Sequence, residues 1–319
     1  MSLLYEILKP IVKNIVKKKA HQEETYEEFV KTSLDIQAKF RLKLPRINGY
    51  TFHHDEMIGD YHCLVGRKLI SCNEASGKSK KAVMYLVGGG ERRWQMPSNS
   101  SMKRYMDTGC DLWIPLYPLY PNADVIDEIE MISETHRKMM ETYHTEDIIW
   151  LGFSAGADLI MATGRYIVKG QINLAMPGLM IPVSPCNLTI SDESFQRMKE
   201  IEKRDIMMFA DSMKAYPDFY DHEHKYPGYI WGDARTDDYT GFPKIVMFFG
   251  GDEIFAAEAP EYEAAFIRSA VKDYRIIVKD GMFHAYPMFT FLKEGKLGED
   301  EIIKIICSLW HNSVTDAHL

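Results

Sequence analysis

The chain has 319 residues, 46% apolar and 26% charged, ample for a sizeable core in one large domain or a core with a lid. Lys and Arg number 38 against 46 Asp and Glu, a net charge of −8; with no basic tract, this argues against nucleic acid as the main partner. No apolar run approaches membrane-spanning length, so no integral membrane span is expected. Cys63, Cys72, Cys110, Cys186 and Cys307 are scattered and odd in number, which suits free thiols in a reducing compartment better than a disulfide framework or a zinc site. Lys9, Lys13 and Lys17 to Lys19 interrupt the apolar residues of the N-terminus and no cleavage site follows, so a cytoplasmic protein is expected.

In chain order, residues 3 to about 41 read as helical, with Leu4, Ile7, Leu8, Ile11, Ile15 and Val16 at helical spacing and lysines on the other face. Such a basic amphipathic segment can lie on a membrane or pack as a lid helix on its own protein, and the second reading is favoured. From about 46 to 72 come short extended pieces, Tyr61 to Val65 and Lys68 to Ser71 among them. Strand and helix patterns then alternate. Apolar runs cover 82–87, 111–116, 147–151, 178–183, 244–249 and 274–278, a helix covers about 122–143, and a final helix carries Ile302, Ile303, Ile306, Leu309 and Trp310 on one face. Near-continuous apolar strands alternating with helices predict a mostly parallel sheet covered on both faces. The alternation stops between Pro185 and Pro243, in a stretch rich in Met, Tyr, Asp and His that reads as an insertion over the strand ends. The expected organisation is N-terminal lid helices over 1–45, the first part of the core over 46–185, a lid insertion over 186–240 and the rest of the core over 241–319.

Gly152-Phe153-Ser154-Ala155-Gly156 sits between a predicted strand and a predicted helix. In that context G-x-S-x-G forms a sharp turn that exposes one serine hydroxyl, with nearby amides and a helix N-terminus facing any anion formed beside it. Ser154 is therefore the candidate nucleophile. It needs a base, and the base needs a partner that fixes its tautomer. Of His222, His224, His284, His311 and His318, His284 stands just past the last predicted strand, where a loop returns to the edge of the sheet that carries the elbow, whereas His222 and His224 fall in the expected insertion, His311 in the terminal helix and His318 in the tail. After the penultimate strand stand Asp252 and Glu253, two adjacent carboxylates of which one can face His284. Gly88-Gly89-Gly90 follows the first core strand and lets backbone amides approach a developing negative charge.

These features together resemble the α/β-hydrolase superfamily, and within it the hormone-sensitive-lipase-like carboxylesterases, over roughly residues 80 to 310. The resemblance rests on Gly88-Gly89-Gly90, the Ser154 pentapeptide, Val183-Ser184-Pro185, Gly241-Phe242-Pro243-Lys244 ahead of Gly251-Asp252-Glu253-Ile254, and Gly281-Met282-Phe283-His284. It implies an α/β-hydrolase fold with a mainly helical lid, a serine esterase acting on a small-molecule ester without metal or organic cofactor, and a triad of Ser154, His284 and an acid. Position in the motif favours Glu253 over Asp252. The amides of Gly89, Gly90 and Ala155 are implied as the oxyanion hole. The chain departs from the resemblance at Val87, where a histidine is usual, which puts the rigidity of the glycine loop in question. Glu91-Arg92-Arg93-Trp94 reads either as charge and an aromatic ring at the pocket mouth or as a solvated loop with one packed Trp. Met207, Met208, Met213, Tyr216 and Tyr220 suggest an apolar, adaptable pocket for small or medium acyl groups. An amidase or formamidase with the same triad and a non-catalytic ligand-binding protein are the alternatives; the sequence does not determine the oligomeric state.

Overall fold

The computed structural model describes residues 2–20, 25–58, 61–69, 81–223, 225 and 232–311. Its strands are β1 Tyr50–Ile58, β2 Tyr61–Lys68, β3 Ala82–Leu86, β4 Asp111–Pro115, β5 Ile148–Phe153, β6 Leu179–Val183, β7 Lys244–Gly250 and β8 Tyr274–Lys279. They form a sheet in the order β1-β2-β4-β3-β5-β6-β7-β8. The β1–β2 and β2–β4 pairs are antiparallel, and every pair from β4 to β8 is parallel. All residues of β3, β4, β5 and β6 are buried, as strands covered on both faces must be. β8, at the sheet edge, is half-buried or exposed throughout.

Helices α3 Asn99–Met106, α4 Val125–Met140, α5 Ala155–Val168, α8 Ala259–Arg268 and α9 Lys293–His311 belong to the alternating part of the chain. Two more, α1 Leu3–Ala20 and α2 Tyr26–Lys39, precede the sheet, and α6 Asp192–Ile201 and α7 Ala210–Tyr220 lie between β6 and β7. These two groups pack together. Phe29 of α2 is fully buried among Tyr216, Phe219 and Tyr220, and the Tyr26 ring stacks on His222 at 3.9 Å.

The helical stretch expected over 3–41 is two helices. Thr25 starts the second, accepting from the Glu28 amide while the Glu28 side chain accepts from the Thr25 amide. In α1, Tyr5, Leu8 and Val12 pack on Met282, Phe283 and Tyr286, whereas Leu4, Ile7, Ile11 and Ile15 are about half exposed. The extended pieces expected around 61–71 are one strand, because Gly66 and Arg67 pair with β1 and Gly66 also with β4. Ile70, Ser71 and Cys72 lie outside the described residues. The predicted helix over about 122–143 starts at Val125, where the Asp124 side chain caps the Ile126 and Asp127 amides.

The core strands meet α5 at very short range. A Cβ on Gly156 would stand 2.4 Å from the Leu86 carbonyl oxygen, and one on Gly152 would stand 2.2 Å from that of Gly156. Backbone rather than movable side chain occupies the space, so a methyl group must push β3, β5 and α5 apart. Gly156→Ala should lower stability by about 1–3 kcal/mol, read as a lower urea midpoint at unchanged slope. A midpoint equal to the wild type would mean that α5 does not sit this close to β3.

Candidate active site

Ser154 stands between the end of β5 and the start of α5. Its backbone is at φ 52°, ψ −126°, and its amide is held by the Val183 carbonyl at 2.9 Å. A non-glycine residue there is strained by roughly 1–3 kcal/mol, which the surrounding packing must offset. The strain is shared across the site. Of five non-glycine residues with positive φ among the described residues, four are Glu91, Ser154, Ser184 and Ala285.

The structure brings Ser154, His284 and Glu253 together. The His284 Nε2 lies 2.8 Å from the Ser154 Oγ, and the His284 Nδ1 lies 2.6 Å from Glu253 Oε2. Glu253 is fully buried and His284 is 5% exposed. The carboxylate does not lack donors: its Oε1 accepts from the Ser184 hydroxyl at 2.8 Å and from the Gly250 amide at 2.6 Å. With Glu253 accepting from Nδ1, the imidazole presents a free lone pair at Nε2 to the serine hydroxyl. The Phe255 ring stands edge-on to His284 at 5.0 Å and limits its rotation.

Asp252, the other candidate acid, is not at this site. Its carboxylate faces the N-terminal and β6–β7 segments, accepting from Lys9 Nζ at 2.7 Å and Arg204 Nε at 2.9 Å. Adjacent residues after β7 point to opposite sides, so the choice of Glu253 by the imidazole leaves Asp252 to the outside. Of the other histidines, His222 stacks on Tyr26 and His311 ends α9, while His224 and His318 lie outside the described residues.

The glycine loop faces the same serine. A Cβ on Gly88 would meet the Phe153 carbonyl oxygen at 2.8 Å and the Ser154 Cβ at 3.1 Å. Gly89 and Gly90 have φ of 134° and 60°, conformations that glycine adopts without penalty. Among the described residues, the Gly89, Gly90 and Ala155 amides donate to no protein acceptor, and Ala155 is the first residue of α5. Unsatisfied donors at a helix N-terminus and a glycine turn are groups able to receive an anion.

Of Glu91 to Trp94, Arg93 is exposed and the other three are buried or half-buried. Glu91 is buried, Arg92 lies 4.1 Å over the Phe29 ring and bonds the Ser33 hydroxyl, and the Trp94 Nε1 donates to the Tyr117 carbonyl at 2.9 Å. The loop is thus pinned to α2 and to the segment after β4.

Ser184 is the residue that motif reading underused. It is fully buried, donates to Glu253, and accepts from the Ala285 amide at 2.9 Å, so one hydroxyl joins the acid to the histidine turn. The available signal was its place just past β6, between the elbow strand and the acid strand.

A family model described as alpha/beta hydrolase fold matches residues 95–288, more than half of the chain. The chain belongs to the α/β-hydrolase fold family. The matched span of this α/β hydrolase includes Ser154, Glu253 and His284 and begins after the glycine loop. No curated protein matches it in sequence. Among solved structures it is similar to an esterase/lipase from an uncultured bacterium, at 19% identity and TM-score 0.74 over 98% of this chain and 100% of that one. The esterase EstE5 superposes with TM-score 0.75 at 19% identity, again over 98% and 100% of the two chains. An esterase described as belonging to the bacterial hormone-sensitive lipase family superposes with TM-score 0.71 at 17% identity, over 97% and 99%. The expected α/β-hydrolase fold agrees with the family and with these neighbours. Among the described residues no helix is long and apolar enough to cross a membrane.

Behind the glycine loop of this α/β hydrolase lies a set of buried acids. Glu91 and Asp158 line a small cavity with Arg165 and Cys186, and Glu128 is 1% exposed with an unpartnered Oε2. Burial pushes the Glu91 carboxyl up to about 7 and, reinforced by Glu91, raises Glu128 well above the usual carboxylate range. A raised acid favours the folded state while protonated, so its stabilising effect is full at acidic pH and is lost as pH rises through about 7. Glu91→Gln should therefore lose less stability than the wild type between pH 5 and pH 8, by on the order of 1–3 kcal/mol. Urea midpoints that fall equally in both proteins would contradict the burial of this carboxyl.

Proposed function

We propose that the protein is a serine carboxylic-ester hydrolase that works through an acyl-enzyme on Ser154. One observation carries the reading: an unbroken hydrogen-bond chain, Ser154 to His284 to Glu253, stands opposite unsatisfied backbone donors. A hydroxyl, a base with its tautomer fixed and free amides are the three parts that acyl transfer requires.

The Ser154 Oγ attacks the ester carbonyl carbon while its proton passes to the His284 Nε2. The carbonyl oxygen becomes an oxyanion, met by the Gly89, Gly90 and Ala155 amides; deleting one such donor elsewhere costs about 10²–10³ in turnover. Glu253 stabilises the imidazolium and holds the ring. The C–O bond to the alcohol breaks, and His284 returns the proton to the departing oxygen. Water repeats the sequence on the acyl-serine, with His284 again as base, and frees the carboxylic acid and the serine. No step requires a metal or organic cofactor. The N-terminal helices and the segment between β6 and β7 act as the lid, packed on each other through Phe29, Tyr216 and Tyr220. The Met- and Tyr-rich composition of that segment favours an apolar pocket for small or medium acyl groups.

The test uses p-nitrophenyl esters from acetyl to hexanoyl and a fluorophosphonate probe, which labels only an activated serine. Wild-type protein should hydrolyse the esters and take the label, and Ser154→Ala should do neither while keeping its fold. Glu253→Gln should lose about 10³–10⁴ in turnover, and Asp252→Asn should stay close to wild type. An unlabelled, inert wild type would fit a ligand-binding protein, faster cleavage of matched amides an amidase, and equal losses in the two acid variants would remove Glu253 from its role.

A further inference from the structure

The free amides of the glycine loop are explained by what happens to its carbonyls. A peptide group turns its N–H one way only if its C=O is held the other way. Each carbonyl from Val87 to Arg92 is held. Val87 accepts from the Tyr117 hydroxyl at 2.7 Å, Gly88 from the Gln95 amide at 2.9 Å, and Gly89 from the Arg92 amide at 3.4 Å. Gly90 accepts from the Tyr220 hydroxyl at 2.5 Å, Glu91 from the Tyr120 amide at 2.9 Å, and Arg92 from the Gln37 Nε2 at 3.3 Å.

The ties differ in strength. The peptide that carries the Gly89 N–H is fixed by the short Gly88–Gln95 bond. The peptide that carries the Gly90 N–H is fixed within the loop only by the long Gly89–Arg92 bond, too long for full strength. Gly90 has no side chain to resist rotation and sits at φ 60°. Its orientation therefore depends on the next peptide plane, whose carbonyl is the one that Tyr220 holds. Tyr220 is the last residue of α7, 9% exposed, and its ring is wedged edge-on against Tyr120 at 5.2 Å and Phe29 at 5.5 Å. The hydroxyl is thus delivered to Gly90 by a rigid aromatic packing that joins α2, α7 and the segment after β4.

We propose that Tyr220 is a positioning residue for the oxyanion hole, its hydroxyl holding the Gly90 carbonyl so that the Gly90 amide faces the substrate. The segment between β6 and β7 then does more than cover the site: it sets one of the donors, and displacement of α7 would weaken the hole. This rests on the esterase reading above.

The experiment compares Tyr220→Phe with wild type on p-nitrophenyl butyrate. The ring packing is retained and only the hydroxyl is lost. The expected result is a fall in kcat of about tenfold, with KM within about twofold. The inhibition constant of a trifluoromethyl ketone, whose adduct places an oxyanion in the hole, should rise by the factor that kcat/KM falls. The affinity of butyramide, a neutral analogue of the ground-state ester, should change by less than about twofold. An unchanged kcat overturns the proposal, as does a loss of butyramide affinity equal to the loss in kcat/KM, which would make Tyr220 a packing residue of the pocket. Should Tyr220→Phe fail to fold, a polyfluorinated tyrosine incorporated at 220 keeps the ring and lowers the phenol pKa. Its kcat should then gain an alkaline fall at lower pH than wild type, and coincident profiles overturn the proposal. Failure of the esterase reading shows separately, as wild-type protein that neither turns over nor takes the fluorophosphonate label.

Discussion

The close approach of α5 to β3 and β5 is the constraint on which the rest depends. Backbone touches backbone at Gly152 and Gly156, and the three residues between them have no room for an ordinary turn. Ser154 takes a positive φ as a result, with its amide tied to β6. Its hydroxyl then stands at the tip of the bend, and the first amide of α5 is left without a partner. Strain at one residue and an unsatisfied donor at the next are both local costs. The buried strands β3, β5 and β6 supply the hydrophobic stabilisation that offsets them.

Around that turn, polar groups are buried with their partners selected one by one. Glu253 has three donors and sits at the junction of β7, the turn after β6 and the histidine turn. Removal of such a carboxylate from water is unfavourable unless its oxygens are matched, and here each is. Asp252, next to it, takes the outward side and binds Lys9 of α1 and Arg204 of the β6–β7 segment. Two adjacent acids thus serve two purposes: one orients the imidazole and the other fastens the covering helices. Tyr5 adds to the same fastening, with its hydroxyl on the Gly281 carbonyl and its ring on Phe283.

The glycine loop follows a similar logic without the histidine usual at residue 87. Its carbonyls are taken up by Tyr117, Tyr120, Tyr220 and Gln37, which come from the segment after β4, from α7 and from α2. Arg92, stacked on Phe29 and bonded to Ser33, anchors the far end. Rigidity that one side chain does not provide is distributed over several contacts with the outer helices.

Much of this was legible in the residues themselves. Apolar runs of five or six residues marked the buried strands because a parallel sheet covered on both faces admits little else. The spacing of Gly152, Ser154 and Gly156 after such a run specified the turn, since only glycine tolerates backbone at that distance. Chain order alone placed His284 at the right edge. Tertiary structure decided what depends on side-chain direction and on partners distant in sequence. Glu253 and Asp252 differ by one position and become distinct only when β7 and the histidine turn are set side by side. Ser184 gains its meaning from residues 69 and 101 positions away, and Tyr220 from a carbonyl 130 positions away. Local pattern carries periodicity and steric necessity; it does not carry which buried donor meets which buried acceptor, because that is fixed by packing between elements.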